Sequence, residues 1–397
     1  MNELNKGSVA FKHKPEDFIV EEIAEDGRVS EVSLDINAFE NVKVDFRSLN
    51  VNDKRDFLYC DVEKINIDHF SMIEILGNEL HNYPHELGYA GTKDKAAWTC
   101  QRISIFNADI EKIRNFSYPG IILKNFRWGK HKIKTGDLKG NRFRITLRDV
   151  DRDAIKILSR VRNSEHLPNL FGGQRFGSLR KENVTIGRLI LKGRYREAVF
   201  AYLTAFGENE SEEVKNAKKK LKSEKKLGKA INYFPEELKI ERKILDYLDK
   251  NKEDWLGALK IIGEKTLLIM CQAVQSRLFN DIIEKALNEG INLNNQSISL
   301  IGYNTKFAPG RLGRIEHETL EENWLELEDF NNQDMPFLKL SASSRKALFK
   351  VHELDVQTAD DDLFPLSKKI MLSFVLDSGV YATTFLEQFF ELRRNIE

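Results

Sequence analysis

The chain has 397 residues, 41% of them apolar and 31% charged, with a mean hydropathy of −0.45. That is long enough for two domains with separate cores, and too ordinary in composition for a disordered or membranous protein. The 62 basic and 62 acidic side chains cancel, so bulk charge signals no nucleic acid. The opening residues lack the apolar core of a signal peptide, and no apolar run approaches the roughly 18 residues of a membrane span. A cytoplasmic protein without a membrane anchor is therefore expected. Residues 18–23, after Pro15, predict a strand. Asp68 predicts the cap of a helix reaching about Leu80, with Phe70, Ile73, Leu76 and Leu80 on one face. A glycine-flanked turn at 88–94 follows, then a strand over 97–105. Residues 151–162 predict a helix with Ile155, Leu158 and Val161 at helical spacing, and 266–287 a long apolar helix stopped by Gly290. Residues 371–376 read as a strand, and 383–396 as a closing amphipathic helix carrying Phe385, Phe389 and Leu392. The whole is mixed α and β without repeats. A composition shift near 197–229 and the acidic Asp360 to Asp362 mark candidate domain edges.

Cys60, Cys100 and Cys271 are odd in number and far apart, so they read as reduced thiols instead of a disulfide frame or zinc site. His81 and His85 have a ligand's helical spacing, but Pro84 interrupts any regular helix there. No metal is indicated.

Charge is informative only locally. Nine basic residues stand against Asp137 alone between Lys124 and Arg148, interleaved with Phe126, Trp128 and Phe143. Within that run Phe143, Ile145 and Leu147 alternate with polar residues, which predicts a half-buried strand whose outer face carries Arg142, Arg144 and Arg148. A solvated basic face would look the same, but three arginines on one strand face also suit an RNA backbone. A second basic run, Lys215 to Lys229, follows an acidic block and reads as an exposed helix or insertion.

The turn Gly88-Tyr-Ala-Gly-Thr-Lys-Asp94 is the most informative stretch. A carboxylate between glycines is most often an Asx turn or a cap. It is not a P-loop, because Gly-x4-Gly-Lys-Ser/Thr is absent.

Taken with Lys12-His-Lys-Pro-Glu-Asp-Phe18, Lys139-Gly-Asn-Arg-Phe143, Pro168-Asn-Leu-Phe-Gly-Gly-Gln-Arg-Phe-Gly177, Gln275-Ser-Arg-Leu-Phe-Asn280 and Ser378-Gly-Val-Tyr-Ala-Thr-Thr384, the turn resembles the TruD family of tRNA pseudouridine synthases. These segments run in family order from residue 12 to 384, while residues 197–355 match poorly outside Gln275 to Asn280 and Ser344-Arg345. The resemblance implies an α/β (α+β) fold: a pseudouridine synthase core with a mixed, largely antiparallel sheet, formed by residues 1–196 and 356–397, and an inserted TRUD domain over 197–355. It implies isomerisation of uridine to pseudouridine in tRNA, at uridine 13 of the D-arm, through an essential aspartate and a flipped-out base. No cofactor is implied, tRNA is the partner, and a monomer is favoured. By the same resemblance Asp94 is the catalytic carboxylate. Lys12 is a better partner for it than Lys93, whose side chain points away from its neighbour's in extended chain. Phe18, Asn169 and Tyr381 are placed at the substrate, with Phe171 as a supporting or stacking residue. The chain departs from the family at Trp98, at Tyr381, where many members carry Phe, and at Leu376-Asp377-Ser378, where Leu-Pro is usual. An RNA-binding protein that kept the fold without its activity is the rival reading, and the intact Asp94 turn argues against it.

Overall fold

A computed structural model of the chain describes residues 6–35, 39, 44, 46, 49, 53–176, 182–207 and 210–394. The chain divides into two compact units, Asn2–Leu167 with Phe349–Glu397, and Pro168–Leu348. The units change over at 167/168 and 348/349, whereas the resemblance implied edges at 196/197 and 355/356. Residues 196 and 197 lie inside the helix Tyr195–Thr204, and 355 and 356 inside the strand His352–Asp360. The shift in composition after 197 is the charged outer face of a helix, Glu212–Glu224, whose Val214, Ala217 and Leu221 reach the same core as Ile186 and Ile190 before them.

Among the described residues, the discontinuous unit is built on one ten-stranded sheet. Its early strands are β1 (Gly7–Phe11), β2 (Phe18–Ala24), β3 (Phe57–Ile65), β4 (Leu87–Tyr89), β5 (Trp98–Phe106), β6 (Ile121–Gly129) and β7 (Leu138–Val150). Across the sheet the order is His352–Asp360, Lys368–Asp377, β7, β2, β5, β3, β6, with β4 beside β5 and β1 beside β7 and Phe390–Arg394. β2 runs parallel to β5, and β1 to Phe390–Arg394; the other pairings are antiparallel. The sheet is thus mixed and largely antiparallel.

Alternation divides its faces. Phe18, Val20, Phe143, Ile145 and Leu147 pack with Leu372, Phe374 and Phe385 in one core, while Leu58, Val62, Ile103 and Ile105 meet α1 (His69–Leu80) in another. The Asp68 carboxylate caps α1 by accepting from the backbone N–H of Phe70 and Ser71. The buried face of α1 is Met72, Ile73, Leu76 and Leu80, and Phe70 turns outward, 61% exposed. Residues 151–162 form two short helices, Arg152–Lys156 and Leu158–Arg162, instead of one.

The expected closing helix is also corrected. A helix over Ala382–Leu386 gives way to the strand Phe390–Arg394. Phe385, Phe389 and Leu392 fit a helical stripe, but Phe390 and Leu392 fit a strand equally well. Pairing with the open edge of β1, Gly7 opposite Phe390 through Phe11 opposite Arg394, decides for the strand.

In the Pro168–Leu348 unit, the helix Glu264–Asn288 carries Leu267, Met270, Cys271, Val274, Leu278 and Phe279 inward. It packs along Asn183–Leu191 with a close approach at Gly187, where an added Cβ would lie 2.2 Å from the Met270 carbonyl oxygen. No helix among the described residues is long and apolar enough to cross a membrane.

Phe374 is fully buried, with its ring centroid 5.3 Å from that of Phe143 and 4.8 Å from that of Phe385. Phe374→Ala should cost about 3–5 kcal/mol in urea unfolding, whereas Phe70→Ala on the exposed side of α1 should change stability by no more than about 0.5 kcal/mol.

Candidate active site

The turn from Ala90 to Ala97 joins β4 to the central strand β5, and its geometry is set from below. Gly88 is required by close packing and not by a left-handed conformation: a Cβ there would come within 2.4 Å of both the Ile133 carbonyl and Ser104 Oγ. Gln101 Nε2 donates to the Gly91 carbonyl at 3.1 Å. Lys93 points inward and pairs with Glu22 Oε2 at 2.7 Å, both side chains being almost wholly buried. Glu22 Oε1 in turn accepts from the Arg102 backbone N–H. Lys64, at the end of β3 and fully buried, donates to the carbonyls of Asp94 and Ile67, each at 2.7 Å. Burial pushes its ammonium down to about 8, against the opposing pull of the Asp94 charge.

With its backbone held this way, the Asp94 side chain projects outward, 59% exposed. Lys12 Nζ meets Asp94 Oδ2 at 2.5 Å and lies 3.9 Å from the centroid of the Phe18 ring. Lys12 has a left-handed backbone, φ 56°, which costs a non-glycine residue about 1–2 kcal/mol and turns this side chain toward the carboxylate. The pairing falls to Lys12, and Lys93 is committed to Glu22.

Asp94 opens onto a cleft of about 480 Å³ lined by Phe18, Val20, Tyr89, Thr135, Asn141, Phe143 and Tyr381, among others. Phe18 is buried and braced edge-on by Phe11 at 5.4 Å. Tyr381, 62% exposed, sits at the start of Ala382–Leu386. Gly379, at φ 81°, supplies the left-handed step of the turn that brings Tyr381 there.

Asn169 and Phe171 belong to the other unit, where three separated sequence segments converge on them. Asn169 is buried; its Nδ2 donates to the Lys346 carbonyl at 3.0 Å and its Oδ1 accepts from Arg345 Nη2 at 2.5 Å. Asn280 clamps Phe171 from both sides, accepting from its backbone N–H at 2.8 Å and donating to its carbonyl at 3.0 Å. The Arg345 guanidinium lies 4.3 Å from the centroid of the Phe171 ring. The amide of Asn169 is thus occupied on both sides within its own unit.

The arginines of β7 are ion-paired. Arg142 and Arg144 bind Glu21 Oε2 and Oε1 at 2.7 and 2.8 Å, and Arg142 also reaches Glu31. Arg148 is buried between Asp17, Asp361 and Asp362. The alternation that turns Phe143 to the cleft turns Arg142 and Arg144 to the opposite face of the sheet.

The family model described as tRNA pseudouridine synthase D (TruD) matches residues 4–298 and 295–389. The chain belongs to the TruD family. It is 30% identical over 393 residues to a Methanocaldococcus jannaschii protein named probable tRNA pseudouridine synthase D 1, covering 96% of this chain and 95% of that one. It is 29% identical over 385 residues to the Methanosarcina acetivorans protein named probable tRNA pseudouridine synthase D, covering 85% and 87%. A crystal structure assigned as TruD, from Methanosarcina mazei, superposes with a TM-score of 0.77 at 26% identity, covering 98% of this chain and 95% of that one.

Sequence reasoning missed Lys64, Glu22 and the bracing role of Asn280 and Arg345. Lys64 looks like any polar residue alternating along a strand, and its signal, a lysine two positions beyond a buried Val62, is weak. Its burial makes a test. Below pH 8 the ammonium is charged in both folded and unfolded chain, so its desolvation penalty is constant. Between about pH 8 and 10.5 the folded state releases the proton first, the unfolded chain holds more protons, and stability rises with pH. Compared with Lys64→Met in parallel urea unfolding, the wild type should gain on the order of 3 kcal/mol between pH 7 and pH 10.5.

Proposed function

We propose that this protein converts uridine to pseudouridine in tRNA, at uridine 13 of the D-arm, with Asp94 as the catalytic carboxylate. The observation that carries the reading is the Asp94–Lys12 pair at 2.5 Å opening onto an aromatic-walled cleft. The family and the names of its relatives support the same chemistry.

The reaction breaks the N1–C1′ bond, turns the uracil and forms C5–C1′; the proton lost from C5 is balanced by one gained at N1. Asp94 serves either as a nucleophile, forming an ester at C1′ that the attack of C5 then cleaves, or as a base at C2′. Both need a carboxylate held in place and open to the ribose, as in glycosidase chemistry. The backbone bond from Lys64 and the side-chain pair with Lys12 fix its position. A duplexed uridine cannot reach it, so the base must leave its stack. The cleft falls within the usual size range for small-ligand sites, and the exposed ring of Tyr381 offers a stacking face.

On uridine-containing tRNA transcripts, wild type should form pseudouridine and Asp94→Asn none, read by mass spectrometry after derivatisation; product from both proteins would sink the catalytic assignment. A transcript with cytidine at position 13 should yield no product. Tyr381→Ala should lose about 1–3 kcal/mol of substrate binding, seen mainly as a higher KM. A protein that binds tRNA tightly yet never forms product would favour the RNA-binding reading.

A further inference from the structure

A cleft of about 840 Å³ in the Pro168–Leu348 unit is distinct from the Asp94 cleft and plays no part in the chemistry above. Its outstanding residue is Trp324. The helix Gly310–Glu322 ends there in a left-handed turn: Trp324 N–H donates to the Glu321 carbonyl, Leu325 N–H donates to the Leu320 carbonyl, and Trp324 has φ 58°. Glycine is the usual residue at such a position. A tryptophan there is conformationally strained, and the strain is not offset by burial, because Trp324 is 82% exposed. Among the described residues its side chain makes no hydrogen bond and no ring contact. A strained backbone that presents a bare indole to solvent gains nothing for the fold, which points to a ligand.

The rest of the lining indicates which ligand. Leu189, Leu320 and Leu325 form an apolar floor. Arg188, on the helix Asn183–Leu191, faces the cleft with a guanidinium that has no ion pair among the described residues. Lys192 and Arg194, by contrast, are held by Asp329 and Glu197. Glu321, Glu326 and Glu328 also line the cleft, so the three basic residues are balanced by three acidic ones. That balance excludes a rail for a long stretch of phosphate backbone. It leaves the exposed Trp324 ring, Phe307 being partly buried edge-on against His317, and one guanidinium without an ion pair, which together fit one base and one phosphate.

We infer that this cleft binds a single unstacked nucleotide of the RNA substrate, its base on the Trp324 indole and its phosphate on Arg188. The site rests on the tRNA reading above and extends it: this unit recognises a nucleotide other than the one that is isomerised.

The test exploits the strain. Trp324→Gly should unfold at a higher denaturant concentration than wild type, because glycine adopts the left-handed turn readily. The same variant should bind tRNA on the order of ten-fold more weakly in filter binding, the loss reappearing in KM. Arg188→Met should also weaken binding and reduce the slope of log K against log salt concentration by about one. An unchanged tRNA Kd in Trp324→Gly overturns this site while leaving the synthase reading intact. Pseudouridine formed by Asp94→Asn would sink that reading instead.

Discussion

Two buried ammonium groups hold the turn on which everything else in the catalytic unit depends. β5 is flanked by β2 on one side and β3 on the other, and each neighbour supplies one anchor for the turn that leads into β5. β2 gives Glu22, which takes Lys93; β3 gives Lys64, which takes the Asp94 carbonyl. Removing one partner of a buried pair such as Lys93–Glu22 typically costs about 3–5 kcal/mol, because a charge is left stranded. The expense buys a fixed backbone beneath an exposed carboxylate. Asp94 therefore combines an exposed side chain with a main chain anchored from the interior.

The sheet's alternation then separates chemistry from scaffolding. Along β2, Phe18 and Val20 line the cleft, while Glu21 on the opposite face gathers Arg142 and Arg144. Along β7, Phe143 faces the cleft and its arginine neighbours do not. One strand pair thus presents an apolar wall on one side and an ion-paired network on the other.

Elements with strong local signals were legible in the amino-acid sequence: the Asp68 cap of α1, the long apolar helix stopped by Gly290, and the alternation of β7. The resemblance to the family added Asp94, Phe18 and Tyr381, which the structure brings to one cleft, and Lys12, which pairs with Asp94. What could not be read was set by distant partners. The strand Phe390–Arg394 is specified by β1, nearly the whole chain away. The commitment of Arg148 depends on Asp17 and Asp361, on opposite sides of it in sequence. Lys64 is polar by type but lies in the interior, and only the carbonyl partners at Ile67 and Asp94 show why. The change-overs at 167/168 and 348/349 leave no compositional mark, because composition tracks surface charge, whereas a unit is defined by which core a helix feeds.

The order of strands across the sheet has a consequence for biosynthesis. β7 pairs with Lys368–Asp377, and all of residues 168–348 must be made between them. At typical elongation rates that interval is roughly ten to forty seconds. During it β7 has an open edge, with Phe143, Ile145 and Leu147 waiting for the partners that bury them. An unpaired hydrophobic edge of that kind is a template for intermolecular pairing. The nascent chain is thus most prone to aggregate while the intervening unit is still being translated, and a chaperone that shields β7 over that interval would raise the yield of folded protein.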